Sequence, residues 1–436
     1  MSLRYSRRKA IASCLFIQSF VTFACIADDD VVPSDPAPQW YRGNIHTHSL
    51  WSDGDDFPEM IAEWYRTHDY NFLALSDHNV LGQGMRWMKL SSIESRGGKQ
   101  VLEKYKARFG EHWIETKGAP DSPDYAIRLK PLDEFRSLVE QRGKFIMIPG
   151  EEISDSAEGV PVHMNATNLV KLVEPLSGST VREAISNNLR TVEEQAKRAG
   201  REILVHLNHP NFGYAITAED IAAVVQERFF EVYNGHPAVG HHGDEEHPSV
   251  ERLWDIANTI RIGELDAEPI FGIATDDSHN YHGKPDGAST GRGWVMVRAR
   301  FLTPEHLIRA MKAGDFYASS GVALKDVAYD ETTRTLTVHV DAAPGETYTT
   351  QFIGTMKSSD RSPKEREGTT KRLTKKYSAE VGAVFAEVEG AQASYKMNGD
   401  ELYVRAVVTS SALVQNPPYD GQHKQAWTQP AVLSSP

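Results

Sequence analysis

The distribution of apolar residues divides the chain near residue 322. Before that point, short apolar runs alternate with longer amphipathic stretches, a pattern that is typical of parallel β/α units. The predicted strands are 44–48, 71–76, 144–149, 160–169, 202–208, 229–233 and 269–274. The predicted helices are 57–68, 131–143, 180–200, 217–228 and 248–261. We therefore expect a closed or nearly closed β/α barrel over residues 39–322.

Two segments depart from this alternation. Residues 80–130 are charged and lack a strong period. A stretch of this length is more often a lid or a substrate-binding loop than a structureless linker, so we expect an insertion that acts as a lid or substrate loop. Residues 323–436 contain short alternating segments, such as 336–340 and 401–407, that predict a small C-terminal all-β domain. The charged residues 357–376 between them are interpreted as a solvated hairpin tip.

The N-terminus has the pattern of a signal peptide over residues 1–27, followed by an acidic, proline-rich linker over 28–38. Arg7, Arg8 and Lys9 precede an apolar stretch at 10–26 that is too short for a stable membrane span. Ser6-Arg7-Arg8 is a weak twin-arginine signal, and Cys25 is a poor lipoprotein cysteine. We expect an exported protein that is periplasmic or extracellular.

The cysteine positions and the net charge exclude some classes of function. Both cysteines, Cys14 and Cys25, lie in the predicted signal peptide, so we expect no disulfide and no thiolate chemistry in the mature protein. The formal net charge of −13 argues against a protein that coats nucleic acid. It does not argue against a phosphorylated small-molecule substrate, because bound divalent cations can reverse the local field.

Metal-ligating residue types recur at the ends of the predicted strands, where α/β barrels carry their chemistry. His46 and His48 lie two residues apart on a predicted strand, so their side chains point the same way. The full set is His46, His48, Asp53, Asp77, His78, Glu151, His163, His209, Asp277 and His279. Nitrogen and oxygen ligands without cysteine suit zinc, manganese or iron, and the set is large enough for more than one divalent ion.

These motifs, in order, resemble those of the PHP (polymerase and histidinol phosphatase) family over roughly residues 40–320. The matching segments are His46-Thr47-His48, Ser52-Asp53-Gly54, Ser76-Asp77-His78-Asn79, Pro149-Gly150-Glu151, His163, His209-Pro210 and Asp277-Ser278-His279. The resemblance implies a distorted seven-stranded, TIM-like β/α barrel. It also implies a site of two or three divalent metal ions that hydrolyses phosphoesters.

The resemblance also implies which residues hold each ion. The first ion would be held by His46, His48, Glu151 and Asp277, and Glu151 would bridge to a second ion held by His163 and His209. Asp53, His78 and His279 would hold a third, although some family members have histidine where this chain has Asp53. Glu152 and Asp276 are interpreted as groups that orient imidazoles, and His206 as a structural histidine.

The expected reaction is in-line attack on phosphorus by a metal-bound hydroxide at a site that includes Glu151, Asp277 and His279. A metal-bound water or one of the histidines of the later loops would protonate the leaving oxygen. These histidines are His236, His241, His242 and His282. Arg292 is either a ligand of the substrate phosphate or an exposed turn arginine.

Two alternatives stay open. Related barrels with a His-x-His strand hydrolyse amides and lactones, but those usually show a carboxylated lysine or a lone late aspartate instead of Asp277-x-His279. The barrel could also be a non-catalytic binding scaffold, which need not bind metal stoichiometrically. The sequence leaves monoester and diester substrates equally open.

Overall fold

The apolar runs pair into one large sheet in the computed structural model of the chain, which describes residues 32, 34–370 and 372–433. The predicted signal peptide and both cysteines lie outside these residues. The strands are β1 (Gln39–Asn44), β2 (Phe72–Leu75), β3 (Arg86–Lys89), β4 (Thr116–Lys117), β5 (Ala126–Leu129), β6 (Ile146–Ala157), β7 (Val160–Thr167), β8 (Leu204–Leu207), β9 (Phe229–Asn234), β10 (Phe271–Thr275), β11 (Trp294–Ala299), β12 (Phe316–Ser319), β13 (Leu324–Asp330), β14 (Thr335–Val340), β15 (Tyr348–Met356), β16 (Ala383–Glu389), β17 (Gln392–Lys396), β18 (Glu401–Leu413), β19 (His423–Thr428) and β20 (Ala431–Val432).

The helices begin and end near the predicted residues, because the capping signals in the sequence are used. The Thr180 side chain accepts a hydrogen bond from the Glu183 backbone N–H, Thr217 and Asp220 form a capping box, and Gly200 ends its helix in the left-handed conformation. The helices are α1 (Pro58–Thr67), α2 (Leu90–Gly97), α3 (Gln100–Phe109), α4 (Leu132–Val139), α5 (Val181–Ala199), α6 (Ala218–Ala223), α7 (Val250–Gly263) and α8 (Pro304–Lys312). A short 3-10 turn follows α3 at Glu111–Trp113.

The large sheet mixes parallel and antiparallel pairs. Its order is β10-β9-β8-β7-β6-β2-β1-β11-β12-β19-β18-β15-β16, with β20 beside β18. The pairs β1–β2, β2–β6, β8–β9 and β9–β10 are parallel, as expected for β/α units. The chain is therefore a mixed α/β protein with a large central sheet. The strands of the described residues form no closed barrel, and the seven-stranded barrel stays a prediction.

The segment 160–169 was expected as a strand of the β/α alternation, but it forms an antiparallel hairpin with β6. Glu158 and Gly159 make the connection, and both have positive φ, 54° and 81° respectively. A two-residue loop with this geometry is the usual connection of a tight hairpin, and glycine at its second position favours it. The hairpin brings His163 of β7 opposite Ser154 of β6.

The two histidines of the His-x-His motif follow a strand instead of lying on one. β1 ends at Asn44, so the predicted strand 44–48 begins too late. Two backbone hydrogen bonds then join this segment to the residues after β10: Asp277 N–H donates to His46 O (3.0 Å), and His48 N–H donates to Ser278 O (2.9 Å). The ends of β1 and β10 are therefore held side by side.

The insertion 80–130 is an ordered subdomain with its own small sheet, in the order β3-β5-β4, and the helices α2 and α3. Tyr105 of α3 stacks on Phe57, which precedes α1, with ring centroids 3.8 Å apart. Arg96 of α2 donates to the backbone carbonyls of Ser52 and Gly54. The insertion therefore packs against the turn that carries Asp53.

The C-terminal strands continue the large sheet, because β12 pairs with β19. A second, three-stranded sheet has the order β13-β14-β17. The loop 357–376 is not simply a solvated tip: Arg372 bonds to Glu158 and Asp220, and the Thr369 backbone N–H donates to Glu246 (2.9 Å). A separate C-terminal all-β domain stays a prediction. Within the described residues, no helix combines the length and the apolarity needed to cross a bilayer.

A buried ion pair fastens the C-terminal strands to α7. Arg405 of β18 is almost fully buried and makes a bidentate contact with Asp255, with both hydrogen bonds at 2.8 Å. The Tyr403 hydroxyl donates to the same carboxylate (2.9 Å), and the Arg405 guanidinium lies 4.6 Å above the Trp254 ring. Both charged groups are buried, and the Arg405 guanidinium also donates to Glu251 Oε2 (3.2 Å).

Arg405→Ala should therefore lower the free energy of unfolding by about 3–5 kcal/mol, because it leaves the buried Asp255 carboxylate without its cationic partner. The double variant Arg405→Met/Asp255→Leu removes both charges and should recover most of that loss. Urea unfolding followed by tryptophan fluorescence measures both. A loss below about 1 kcal/mol in the single variant would show that the pair does not hold these elements together.

Candidate metal centre

Most of the predicted metal-ligating residues converge at one edge of the sheet, on β7 and on the segments that follow β1, β2, β8 and β10. The positions of His46 and His48 follow from the backbone bonds between the ends of β1 and β10. Both side chains are fully buried. Nε2 of His46 lies 3.2 Å from Asp277 Oδ1, and Nε2 of His48 lies 3.1 Å from the same oxygen.

Glu152 is the carboxylate at the centre of the cluster. Its Oε1 lies 3.5 Å from His46 Nε2 and 3.0 Å from His163 Nδ1, and its Oε2 lies 3.3 Å from His48 Nε2. His78 Nδ1 is 2.8 Å from Oε2, and His209 Nε2 is 3.4 Å from Oε1. The Glu152 carboxylate thus lies within 3.5 Å of five imidazole nitrogens from four segments of the chain.

Glu151, the predicted bridging carboxylate, points away from this cluster. Its Oε2 accepts a hydrogen bond from the Val173 backbone N–H (3.0 Å), on the opposite face of β6, and burial raises the pKa of Glu151 to about 8. Adjacent residues of a strand face opposite sides of a sheet, so only one of the two glutamates can reach the histidines. The predicted position of Glu151 is therefore wrong: Glu152, which we expected only to orient imidazoles, is the glutamate that lies among them.

Asp53, His78 and His279 form a second, more open part of the cluster together with His48. Asp53 Oδ1 lies 3.4 Å from His279 Nε2, and its Oδ2 lies 3.5 Å from His78 Nε2. The exposed fractions of the three side chains are 52 %, 29 % and 17 % for Asp53, His78 and His279. The structure therefore brings the predicted third group together, and places it at the mouth of the site.

The carboxylates around the histidines orient the rings. Glu231 Oε1 accepts from His46 Nδ1 at 2.6 Å, which leaves His46 Nε2 as the nitrogen that faces the cluster. His279 Nδ1 lies 2.9 Å from the Asp277 backbone oxygen, which in the same way leaves Nε2 free toward Asp53. Glu231 was missed in the sequence, although an acid within the apolar run of β9 was a signal for it.

His206 lies beside Glu231, with Nε2 3.4 Å from Oε1, and it can form a further group of ligands with Glu231 and His46. Burial lowers its pKa, and neither of its ring nitrogens has a hydrogen-bond partner among the described residues. The interpretation of His206 as a structural histidine stays a prediction.

Asp77 fixes the turn that carries Asp53. Its two carboxylate oxygens accept four hydrogen bonds, from the backbone N–H and the hydroxyl group of both Ser49 and Ser52, at 2.6–3.0 Å. Three of these bonds end on Oδ1 and one on Oδ2. Asp77 therefore holds the turn that carries Asp53 close to the end of β2.

Arg292 does not face the site as a phosphate ligand. Its guanidinium is buried and donates to the backbone oxygens of Asn416 (2.9 Å) and Gly235 (2.8 Å) and to the Asn416 side chain. Neighbouring Asp276 accepts from the backbone N–H groups of residues 291–293, and so it holds this loop instead of an imidazole. Both interpretations of Arg292, as a phosphate ligand and as an exposed turn arginine, are wrong.

Of the four histidines proposed to protonate the leaving oxygen, three lie away from the cluster and one lies beside it. His241 is buried with Nε2 2.5 Å from the Asn234 backbone oxygen, and His282 lies between Lys104 and Asp56. His242 is exposed against Tyr419. His236, by contrast, lies at the mouth of the cluster beside His279 and Phe212, with ring centroids 5.5 and 6.2 Å away.

Charge is concentrated in the centre of the site. Burial alone would raise the pKa of Glu152 and of Asp277, but the neighbouring histidines hold both pKa values well below their usual range. Burial lowers the pKa of His48 to about 3, which keeps this ring neutral, the form in which imidazole binds a metal. The carboxylates are therefore ionised, and His48 is ready to act as a ligand.

The residues fit a multinuclear divalent metal centre. Buried polar atoms without a hydrogen-bond partner are rare in proteins, and here they converge. Among the described residues they include Nε2 of His46, Nε2 of His48, Nδ1 of His163 and Oε2 of Glu152. Each of these atoms belongs to a group whose ligand atoms lie within 4.8 Å of one another. Nitrogen and carboxylate ligands of this kind suit zinc, manganese or iron.

No protein-family model and no curated protein matches the sequence. Solved structures give distant matches. A two-domain protein from Bacteroides vulgatus ATCC 8482, which contains a predicted PHP-like metal-dependent phosphoesterase, is 13% identical, with 92% of this chain and 97% of that chain covered and a TM-score of 0.36. PsfC from Pseudomonas syringae PB-5123 is 11% identical, with 63% and 88% covered and a TM-score of 0.33. At these scores neither fold nor activity carries over to this chain.

The two adjacent glutamates allow a matched test of the site. Glu152→Gln should sharply reduce the metal content, because the Glu152 carboxylate lies within 3.5 Å of five imidazole nitrogens, while Glu151→Gln should keep the metal content of the wild type. Elemental analysis after gel filtration measures both, with circular dichroism as the control for folding. Equal metal loss in the two variants, or loss only with Glu151→Gln, would contradict the central place of Glu152.

Proposed function

We propose that the chain is a metal-dependent phosphoesterase that hydrolyses a phosphorylated small molecule. The observation that carries the proposal is the buried Glu152 carboxylate with unpartnered imidazole nitrogens converging on it. Such an arrangement is costly to bury unless cations occupy it. The order of the motifs, which resembles that of the PHP family, supports phosphoester hydrolysis and the distorted barrel that goes with it.

The residues divide into three groups of ligands. His46, His48, Glu152 and Asp277 would hold a first ion, and Glu152, His163 and His209 a second. Asp53, His78 and His279 would hold a third, with His48 beside them. The assignment of each residue to an ion is part of the proposal.

Divalent ions in such a site supply an activated water at neutral pH and offset the negative charge that builds on phosphoryl oxygens. The protein itself would position and orient the side chains that bind the ions. Glu231 fixes the ring of His46, the Asn208 amide donates to Glu152 (2.7 Å), and the walls of the inner site exclude water because these groups are fully buried. Substrate would enter where Asp53, His78 and His279 are exposed.

Hydrolysis of an amide or a lactone is the second candidate. The related barrels with that activity usually use a carboxylated lysine between their ions, and among the described residues no lysine pairs with a carboxylate of the cluster. Here a glutamate occupies the central position. This favours phosphoesters over amides, and a non-catalytic scaffold would have no need of such a centre.

Export is a further part of the proposal. The signal-peptide pattern of residues 1–27 supports a periplasmic or extracellular protein, and the absence of cysteine after residue 25 suits an oxidising compartment as well as a reducing one. N-terminal sequencing of the protein from culture fractions would show whether the chain begins at Asp28.

The activity is tested with p-nitrophenyl phosphate and its bis ester on protein of known metal content. Two or three ions per chain are expected, with turnover that a chelator abolishes and divalent metal restores. Preference for one ester distinguishes monoesterase from diesterase. Metal-loaded protein that cleaves an amide or lactone but neither phosphoester would refute the phosphoesterase proposal, and protein without metal would indicate a scaffold.

The three groups of ligands should also release their ions in order. Asp53 is half-exposed, whereas the inner ligands are buried, so the ion at the mouth should be the first to leave during stepwise dialysis against a chelator. Asp53→Asn should lower the metal content by about one ion and leave the inner ions in place. Asp121→Asn, on an exposed loop of the insertion, is the matched control. Simultaneous loss of all ions from the Asp53 variant would show that the groups are not independent.

A further inference from the structure

His236 lies at the mouth of the cluster but belongs to none of the groups that could hold a metal ion. It is half-buried in the loop after β9, with its ring 5.5 Å from that of His279 and 6.2 Å from that of Phe212. Phe212 in turn contacts His209, with ring centroids 5.1 Å apart. His236 is therefore adjacent to His279, a residue of the proposed third group, and is separated from His209 of the second group by the Phe212 ring.

The position of this loop is determined by the carboxylates of the site. The Asn234 side-chain amide donates from Nδ2 to Glu231 Oε2 (2.8 Å) and to Asp277 Oδ2 (3.1 Å). These two acceptors orient the amide, so its Oδ1 faces the other way and accepts from the His236 backbone N–H (2.8 Å). The backbone of His236 is thus tied to the cluster through one side chain.

The tautomer of the His236 ring is fixed by its own loop. The Ala238 backbone N–H donates to His236 Nδ1 (3.1 Å). A backbone N–H can only donate, so Nδ1 must present its lone pair and the single ring proton must lie on Nε2. A ring turned over would place a carbon against the Ala238 N–H and lose the bond.

Nε2 has no hydrogen-bond partner among the described residues, and it is not enclosed like the unpartnered nitrogens of His46 and His48. His236 therefore offers an N–H donor at the open side of the centre. We propose that His236 donates this Nε2–H hydrogen bond to a non-bridging oxygen of the substrate's phosphoryl group. The inference deepens the proposed phosphoesterase function and rests on it.

In this role the ring keeps its proton throughout the reaction and does not protonate the leaving oxygen. An imidazole that acts as the acid must first carry a second proton on Nδ1, where it would face the Ala238 N–H. The sequence makes His236 one of several candidates to protonate the leaving oxygen, beside a metal-bound water and three other histidines. The geometry points to stabilisation of the charge on the phosphoryl oxygens, for which a positioned donor is effective.

Two variants separate the donor role from the acid role. His236→Ala should lower kcat by about 10²-fold, whereas His236→Gln, whose amide N–H can replace Nε2–H, should stay within about tenfold of wild type. The loss in the alanine variant should be equal for p-nitrophenyl phosphate and for the phosphate of an aliphatic alcohol. His112→Ala, an exposed histidine of the insertion, is the control and should leave kcat unchanged.

An acid would give a different pattern. The aliphatic ester needs a proton on its leaving oxygen far more than p-nitrophenolate does, so loss confined to the aliphatic ester would overturn the proposal. A glutamine variant no better than the alanine variant for both esters would overturn it too.

Two readouts do not depend on turnover. Nitrogen-15 NMR of histidine side chains in the metal-free protein, with the His236 signal identified by its absence from His236→Gln, should show the Nε2–H tautomer, and the Nδ1–H tautomer would overturn the proposal. Binding of inorganic phosphate to the metal-loaded protein, measured by calorimetry, should weaken about tenfold in His236→Ala and little in His236→Gln. If the three proteins bind phosphate with these relative affinities but the wild type cleaves no phosphoester, the proposed function fails. The role of His236 as a hydrogen-bond donor to phosphate then still stands.

Discussion

The buried carboxylate of Glu152 is the constraint on which the rest of this structure depends. Taking a carboxylate out of water costs several kcal/mol unless charges or hydrogen bonds replace the water, and here the replacement comes from imidazoles supplied by four separate segments. Those imidazoles are themselves incompletely satisfied, since Nε2 of His46 and of His48 have no hydrogen-bond partner among the described residues. A cluster that is unsatisfied at its centre and ordered at its periphery is what a metal centre requires.

The periphery explains how such a cluster can be held. Glu231 accepts from His46 and also from the His209 backbone N–H (2.8 Å), so one side chain positions two ligand segments. Asp77 accepts four hydrogen bonds from Ser49 and Ser52 of the turn that carries Asp53, and the backbone bonds between the ends of β1 and β10 hold His46 and His48 against Asp277. His46, the His209 segment and the turn of Asp53 are therefore each held by a carboxylate from another segment of the chain.

Much of this arrangement could be predicted from the sequence because it depends on residue type and order. His46, His48, His78, His163, His209, Asp277 and His279 converge as expected, and most strands and helices lie near their predicted positions. The predictions that were wrong depend on geometry that the spacing of residues in the sequence does not determine. Glu151 and Glu152 are both buried on β6, and which of them faces the histidines follows from the register with β7, which a two-residue turn fixes. Arg292 is a residue type that often binds phosphate, but its guanidinium donates to the carbonyl groups of Gly235 and Asn416. These partners are distant in sequence, so the spacing of residues could not reveal them.

The centre also divides into a rigid and an adjustable part. The inner ligands lie on or beside strands of the large sheet and are buried, whereas Asp53 lies on a turn and is half-exposed. The Asp77 carboxylate accepts hydrogen bonds from that turn, and the Arg96 guanidinium donates to the backbone carbonyls of the residues before and after Asp53. Arg96 belongs to the insertion, so the insertion contacts the open part of the cluster through the turn of Asp53. We therefore expect a change in the insertion to act first on Asp53, because Glu152 and the buried imidazoles lie on or beside strands of the large sheet.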